Sequence, residues 1–241
     1  MCYHLSAKST VEELEKRFEA QYAESEAPNT YHHVSAFSFP KIPVIAQDEP
    51  NKIKLYNWGL IPMWVKDKTK ADELKAQTLN ARSETMFEKA SFRSAIVKRR
   101  CMVLVNGFYE WRDYNGKKYP YYIHLKDEQP FAMGGMTESW TDKETGEVIN
   151  SFTIITQAAN PLMAQIHNTK LRMPLILHRE TERLWLDPMA DKAFIESLVK
   201  QYPDSEMAAH TISKLITSRK ESSNQPKVYL PEMYVELPNL S

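Results

Sequence analysis

A chain of 241 residues suits one large domain or two small ones, and either can bury a core. Its 31 basic and 31 acidic residues cancel, which excludes a globally basic coat and leaves only a local basic groove balanced by acid elsewhere. The content, 42% hydrophobic and 26% charged, is that of an ordinary globular protein, with no apolar run near the roughly 20 residues of a membrane helix. Glu12, Glu13, Glu15, Lys16 and Arg17 stand where a secretory signal needs an apolar segment, so a cytoplasmic location without a membrane partner is expected. Two cysteines without a CxxC, and six glycines that form neither GxGxxG nor a P-loop, predict no disulfide framework, metal or nucleotide cofactor.

Ser9 and Thr10 each precede a glutamate by three residues, a capping-box signature, and Val11, Leu14, Phe18 and Tyr22 follow at helical spacing. Residues 28–70, with many prolines and short alternating runs, predict strands and turns. Residues 83–90 predict a short helix with Met86, Phe87 and Ala90 inward. Residues 102–111 predict a strand or a bent pair of strands with Asn106-Gly107 as turn or bulge, and Asn115-Gly116 predicts a hairpin into residues 119–125. Residues 131–136 and 151–156 read as further strands, joined through 142–146. Asn160-Pro161 starts a helix by cap and N1 proline, and Asp187-Pro188 starts another with Phe194 and Leu198 inward. Residues 219–241, polar and proline-punctuated, read as a tail laid over a domain of residues 1–218. Without a repeat or a long linker, the pattern predicts a single, strand-rich α+β domain.

Cys2 stands out by its position. Removal of Met1 would leave an α-amine and a thiol on adjacent carbons. The amine, with an ordinary pKa of about 7.7–8.0, is partly neutral near pH 7.5 and attacks an aldehyde to give a Schiff base, on which the thiol closes a thiazolidine. The plain alternative is a chance cysteine at position 2. Cys101, inside Cys-Met-Val-Leu-Val, reads as a buried structural thiol. Glu110, between the aromatics of Gly-Phe-Tyr-Glu-Trp, is either an acid of raised pKa suited to proton transfer or an edge-strand glutamate facing water or Arg112. Asn80 and Arg82, just before a helix signal, either hold a phosphate or sugar oxygen or serve as a cap and a surface charge.

From Arg82 to Arg100 six basic residues, Arg99 among them, face two acidic ones, which fits either a phosphate-binding stripe or a solvated face. Trp58 and Trp64 flank a proline turn nearby and either stack bases or pack in the core. His167, at a helix end before Arg172-Met173-Pro174, is either a proton shuttle or a structural histidine. His32-His33 lacks further metal ligands at helical or loop spacing.

Taken together, Met1-Cys2, the Trp58 to Trp64 segment, Asn80-Ala81-Arg82-Ser83-Glu84-Thr85, Gly107-Phe108-Tyr109-Glu110-Trp111, and His167 with Arg172-Met173-Pro174-Leu175 resemble the SRAP (SOS-response-associated peptidase) family. The resemblance runs from residue 2 to about residue 190. It implies an α+β domain of mostly antiparallel strands forming a barrel-like core flanked by helices. It also implies a monomer that binds abasic sites in single-stranded DNA, nucleoid-associated in a bacterium. The N-terminal cysteine would form a covalent thiazolidine with the ring-opened sugar after Met1 is lost. On this sequence Cys2, Glu110, His167 and Asn80 are the implied catalytic residues.

Asn80, Arg82, Trp64, His4, Arg99, Arg100 and Arg172 are then the expected DNA contacts. AP-lyase activity by β-elimination and autoproteolytic removal of Met1 are further implications. Tyr3-His4 stands where the family usually has Gly-Arg, so the arginine's phosphate contact is lost or passes to His4. The stretch from His167 to Arg172 is longer than usual. The rivals are a cysteine-nucleophile peptidase or hydrolase that needs no DNA, and a non-catalytic single-strand binding module.

Overall fold

The computed structural model describes residues 2–240. After β1 (His4–Ala7), Thr10 accepts from the Glu13 amide while the Glu13 side chain accepts from the Thr10 amide, so the capping box starts α1 (Val11–Phe18). Glu19 adopts a left-handed conformation and ends the helix, which sends Tyr22 into β2 (Gln21–Tyr22) instead of a fourth helical contact. The predicted strands follow as β3 (Tyr31–Ser35), β4 (Lys41–Ala46) and β5 (Lys52–Trp58). Then comes a helix that periodicity does not show, α2 (Lys68–Gln77), because it is capped by Asp67 and buries only Ala71.

After β6 (Asn80–Arg82) the expected 83–90 helix is a single turn of 3-10 helix at Ser83–Thr85 followed by further turns. Glu84 there is held sideways by Arg172, Met86 is buried and Ala90 is exposed. The chain continues through α3 (Ala95–Lys98), β7 (Arg100–Val105), β8 (Gly107–Tyr114), β9 (Lys117–Leu125), β10 (Phe131–Thr141) and β11 (Val148–Ala158). It ends with α4 (Pro161–Ile166), capped by Asn160 as predicted, β12 (Arg172–Pro174), α5 (Glu182–Trp185), α6 (Lys192–Leu198) and β13 (Met207–Thr211). Asp191, not Asp187, caps α6, since the Asp187 carboxylate is engaged by the Met189 amide; Ile195 is buried and Phe194 is 37% exposed.

Strands β11, β10, β7, β4 and β5 hydrogen-bond in that order, and β5 returns to β11 through Ser151–Asn57 and Phe152–Trp58 pairs, closing a five-stranded barrel. β7 is buried on both faces: Cys101, Val103 and Val105 point into one core, and Met102 and Leu104 into another with Leu14, Ile96 and Trp185. The protein is one α+β domain in which helices flank a mainly antiparallel barrel.

A second sheet, β13-β9-β8-β1-β3, is wholly antiparallel. The chain crosses from barrel to second sheet at Asn106-Gly107. The Asn106 carbonyl oxygen of the side chain accepts from the Lys8 and Ser9 amides at 2.7 and 3.1 Å. A Cβ on Gly107 would stand 2.5 Å from the Tyr122 ring, so only glycine passes there. Asn115 and Gly116 both have positive φ, 51° and 72°, the geometry of a two-residue hairpin turn between β8 and β9. Beyond residue 219, Asn224 accepts from the His32 amide, Glu236 accepts from the Tyr119 hydroxyl and Tyr234 donates to the Ile212 carbonyl. Among the described residues no helix is long and apolar enough to cross a membrane.

Candidate functional site

The second sheet and the barrel meet around Cys2. Cys2 precedes β1, which is wedged between β3 and β8, and is only 1% exposed. Its carbonyl accepts from the Asn80 side-chain amide at 2.9 Å, and its thiol lies 3.9 Å from the His4 carbonyl. Asn80 reaches it because β6 runs parallel to β11. Strand alternation then puts Asn80 and Arg82 on one face, with Ala81 buried on the other.

Beside Cys2 is an open cavity of about 940 Å³, lined by His4, Arg82, Glu110, Lys118, His167 and Arg172 among others. Glu110 comes from β8, where it faces Tyr121 of β9 across the pair. It is 6% exposed, and burial pushes its carboxyl up to about 7. Burial first and the Glu110 charge second hold the Cys2 thiol well above its ordinary value.

His167 ends α4 and begins a tight return in which its carbonyl accepts from the Leu171 amide, with Leu171 at φ 53°. The long stretch to Arg172 therefore folds back on itself, and His167 Nδ1 lies 2.9 Å from the Arg172 carbonyl. A carbonyl only accepts, so Nδ1 carries the hydrogen. Nε2 is then the basic nitrogen, 3.7 Å from Glu110 Oε2. Burial lowers the imidazole to about 4, so it is neutral at pH 7. A carboxyl that titrates near neutrality and a neutral imidazole thus share one corner beside Cys2, which is a proton-transfer arrangement.

Not every expected DNA contact is here. Arg100 is fully buried and donates to the carbonyls of Ile96, Val97, Trp185 and Asp187, so the strand order that makes β7 central removes it from the protein surface. Arg99 donates to Glu138 at 2.8 Å and does not line the cavity. Trp64 is 52% exposed, its indole N–H donating to the Ala90 carbonyl, and it too lies outside the cavity lining. Arg172 lines the cavity, but its guanidinium is bound to Glu84 and to the Thr156 carbonyl.

Sequence reasoning passed over Lys118, which hairpin register brings to the cavity with Trp111. No local pattern marks Lys118.

The family model for the SOS response associated peptidase (SRAP) matches residues 1–219. The chain belongs to the SRAP family. This SRAP chain is similar to "Abasic site processing protein YoqW" of Bacillus subtilis, at 38% identity over 182 residues, which covers 75% of this chain and 78% of that protein. It is also similar to "Abasic site processing protein HMCES" of Xenopus tropicalis, at 30% identity over 226 residues, covering 86% of this chain and 65% of the other. Among solved structures, a Bacteroides thetaiotaomicron protein superposes with a TM-score of 0.91 at 40% identity, covering 96% of this chain and 100% of that one. A Bordetella bronchiseptica protein does so with a TM-score of 0.76 at 26% identity, covering 88% and 100%.

Proposed function

We propose that this SRAP chain captures abasic sites in single-stranded DNA as a covalent thiazolidine on Cys2, acting as a soluble monomer. The observation that carries the reading is a cysteine at position 2 buried beside Glu110, a carboxyl poised near neutrality at the wall of an open cavity. The names of the relatives, abasic site processing proteins, point to the same substrate.

Met1, whose removal the chemistry needs, lies outside the described residues. Once it is gone, the Cys2 amine adds to the C1′ aldehyde of the ring-opened sugar. Loss of water gives an imine, and the thiol S–H adds across C=N, with sulfur on C1′ and hydrogen on nitrogen, to close the ring. Glu110, half protonated near pH 7, is suited to donate to the departing hydroxyl and to take the proton from the attacking amine. His167 Nε2 is suited to accept from the sugar hydroxyl. Asn80 holds the Cys2 carbonyl in place, and Arg82 and Lys118 offer charge to the strand's phosphates. An abasic nucleotide has no base to unstack, so its sugar enters such a cavity at lower cost than an intact one. The imine also acidifies the C2′ proton, so β-elimination of the 3′ phosphate can follow as an AP-lyase side activity.

The rival cysteine hydrolase needs a thiolate nucleophile, and burial moves the Cys2 thiol in the opposite direction. The test mixes Met1-processed protein with single-stranded DNA carrying one abasic site and resolves the products on a denaturing gel. A heat-stable shifted band is expected for wild type and not for Cys2→Ala or Cys2→Ser. No band from wild type, with intact mass showing Met1 gone, overturns the covalent reading.

A further inference from the structure

His4 reaches the cavity from β1 and is tied behind to a chain of polar groups that ends outside the family domain. Its Nδ1 is 2.9 Å from Nε2 of His33 on β3, and His33 Nδ1 is 2.7 Å from the Ser223 hydroxyl. The rings are fixed. His33 is 7% exposed and meets the Tyr109 ring edge-on at 5.2 Å, while His4 meets Trp111 edge-on at 4.9 Å. Ser223 lies beyond residue 219, where the family match stops. Its segment is pinned to β3 by Asn224, which accepts from the His32 amide at 2.8 Å and donates to the Thr30 carbonyl at 3.2 Å.

Each junction of this chain holds one hydrogen, so two arrangements are self-consistent. In the first, Ser223 donates to His33 Nδ1, His33 Nε2–H donates to His4 Nδ1, and His4 presents Nε2–H to the cavity. In the second every bond reverses and His4 Nε2 becomes an acceptor. A phosphodiester oxygen only accepts, and so it selects the first. Burial keeps both rings neutral near pH 7, lowering His4 to about 4 and His33 to about 3, and Arg82 and Lys118 on the same cavity do not favour a further cation.

We infer that His4 binds a backbone phosphate of the DNA strand as a neutral Nε2–H donor, and that Ser223, donating to His33 Nδ1 once the phosphate has selected this arrangement, is the positioning residue that supports it from behind. The inference rests on the reading of the cavity as a DNA-strand site. The C-terminal segment is then a working part of the site, although it lies beyond the shared domain.

The experiment uses full-length, Met1-processed protein and a single-stranded oligonucleotide with a tetrahydrofuran abasic analogue, which has no aldehyde to react. Affinity is read by fluorescence anisotropy and the His4 tautomer by imidazole ¹⁵N spectra. Oligonucleotide is expected to drive wild-type His4 to the Nε2–H form. Ser223→Ala is expected to reduce the population that makes that change and weaken binding about 3- to 10-fold, with Ser223→Thr restoring both. In a His4→Ala background, Ser223→Ala is expected to cost nothing further. A His4 tautomer indifferent to Ser223→Ala, or losses that add in the double variant, overturns the inference. If wild type binds with the tautomer change but forms no covalent adduct with true abasic DNA, the thiazolidine reading fails and the relay stands.

Discussion

Arg100 and Glu110 lie ten positions apart on consecutive strands, each charged in water and each buried in the fold, yet they serve opposite ends. The guanidinium of Arg100 sits between helix ends: Ile96 and Val97 of α3 and Trp185 of α5 each accept from it within 2.9 Å. Carbonyls at helix C-termini carry the negative end of the dipole, so the cation is compensated and inert. Glu110 instead faces an open cavity beside a neutral histidine, and burial pushes its carboxyl up to about 7. Burial of a charge therefore marks a candidate working group where the buried group also fronts a cavity that a ligand can enter.

The largest expected effect breaks this contrast on the Glu110 side. Glu110→Gln should slow adduct formation about 10²–10⁴-fold and remove the rate dependence centred near pH 7 that wild type shows in single-turnover assays. The same variant tests linkage. A carboxyl whose folded pKa is raised from 4.5 to about 7 contributes stability that is fully present below pH 4.5 and is lost as pH rises through 7. Wild type should thus lose about 3 kcal/mol of unfolding free energy over that window in denaturant titrations, and Glu110→Gln should not.

On the other side, Arg100→Ala should cost about 3 kcal/mol of stability by stranding four carbonyls, two buried and two partly buried, while oligonucleotide affinity of the folded fraction stays unchanged. A loss of affinity at full folding would return Arg100 to the DNA surface. Asn80→Ala removes one hydrogen bond to the Cys2 carbonyl and should slow crosslinking about tenfold with little change in melting temperature. Smallest of all, Arg99→Gln should leave DNA affinity unchanged and lower stability modestly, because Glu138, 3% exposed, loses its partner.

Much of the architecture was legible because its signals are local. Thr10 with Glu13, Asn115-Gly116 and Asn160-Pro161 each determine the backbone within a few residues, and each forms the cap or turn its chemistry requires. The helix α2 was illegible because it presents no apolar face, and residues 83–90 form only a 3-10 turn and further turns, with Glu84 tied to Arg172 far along the chain. The basic stripe shows the same limit: side chains of one short stretch part ways, Arg82 to the cavity, Arg99 to Glu138 and Arg100 to the interior.

By itself the sequence determined which groups were available: a cysteine at position 2, a glutamate set among aromatics, a histidine at a helix end, and the caps and turns that start the elements. Only the tertiary structure decided which of them meet. The β5–β11 closure and the Asn106-Gly107 crossing bring β6, β8 and the end of α4 around Cys2, and the C-terminal segment brings Ser223 to His33. Charge and hydrogen-bond energies depend on distance and burial, which long-range strand pairing sets and neighbouring residues in the chain do not.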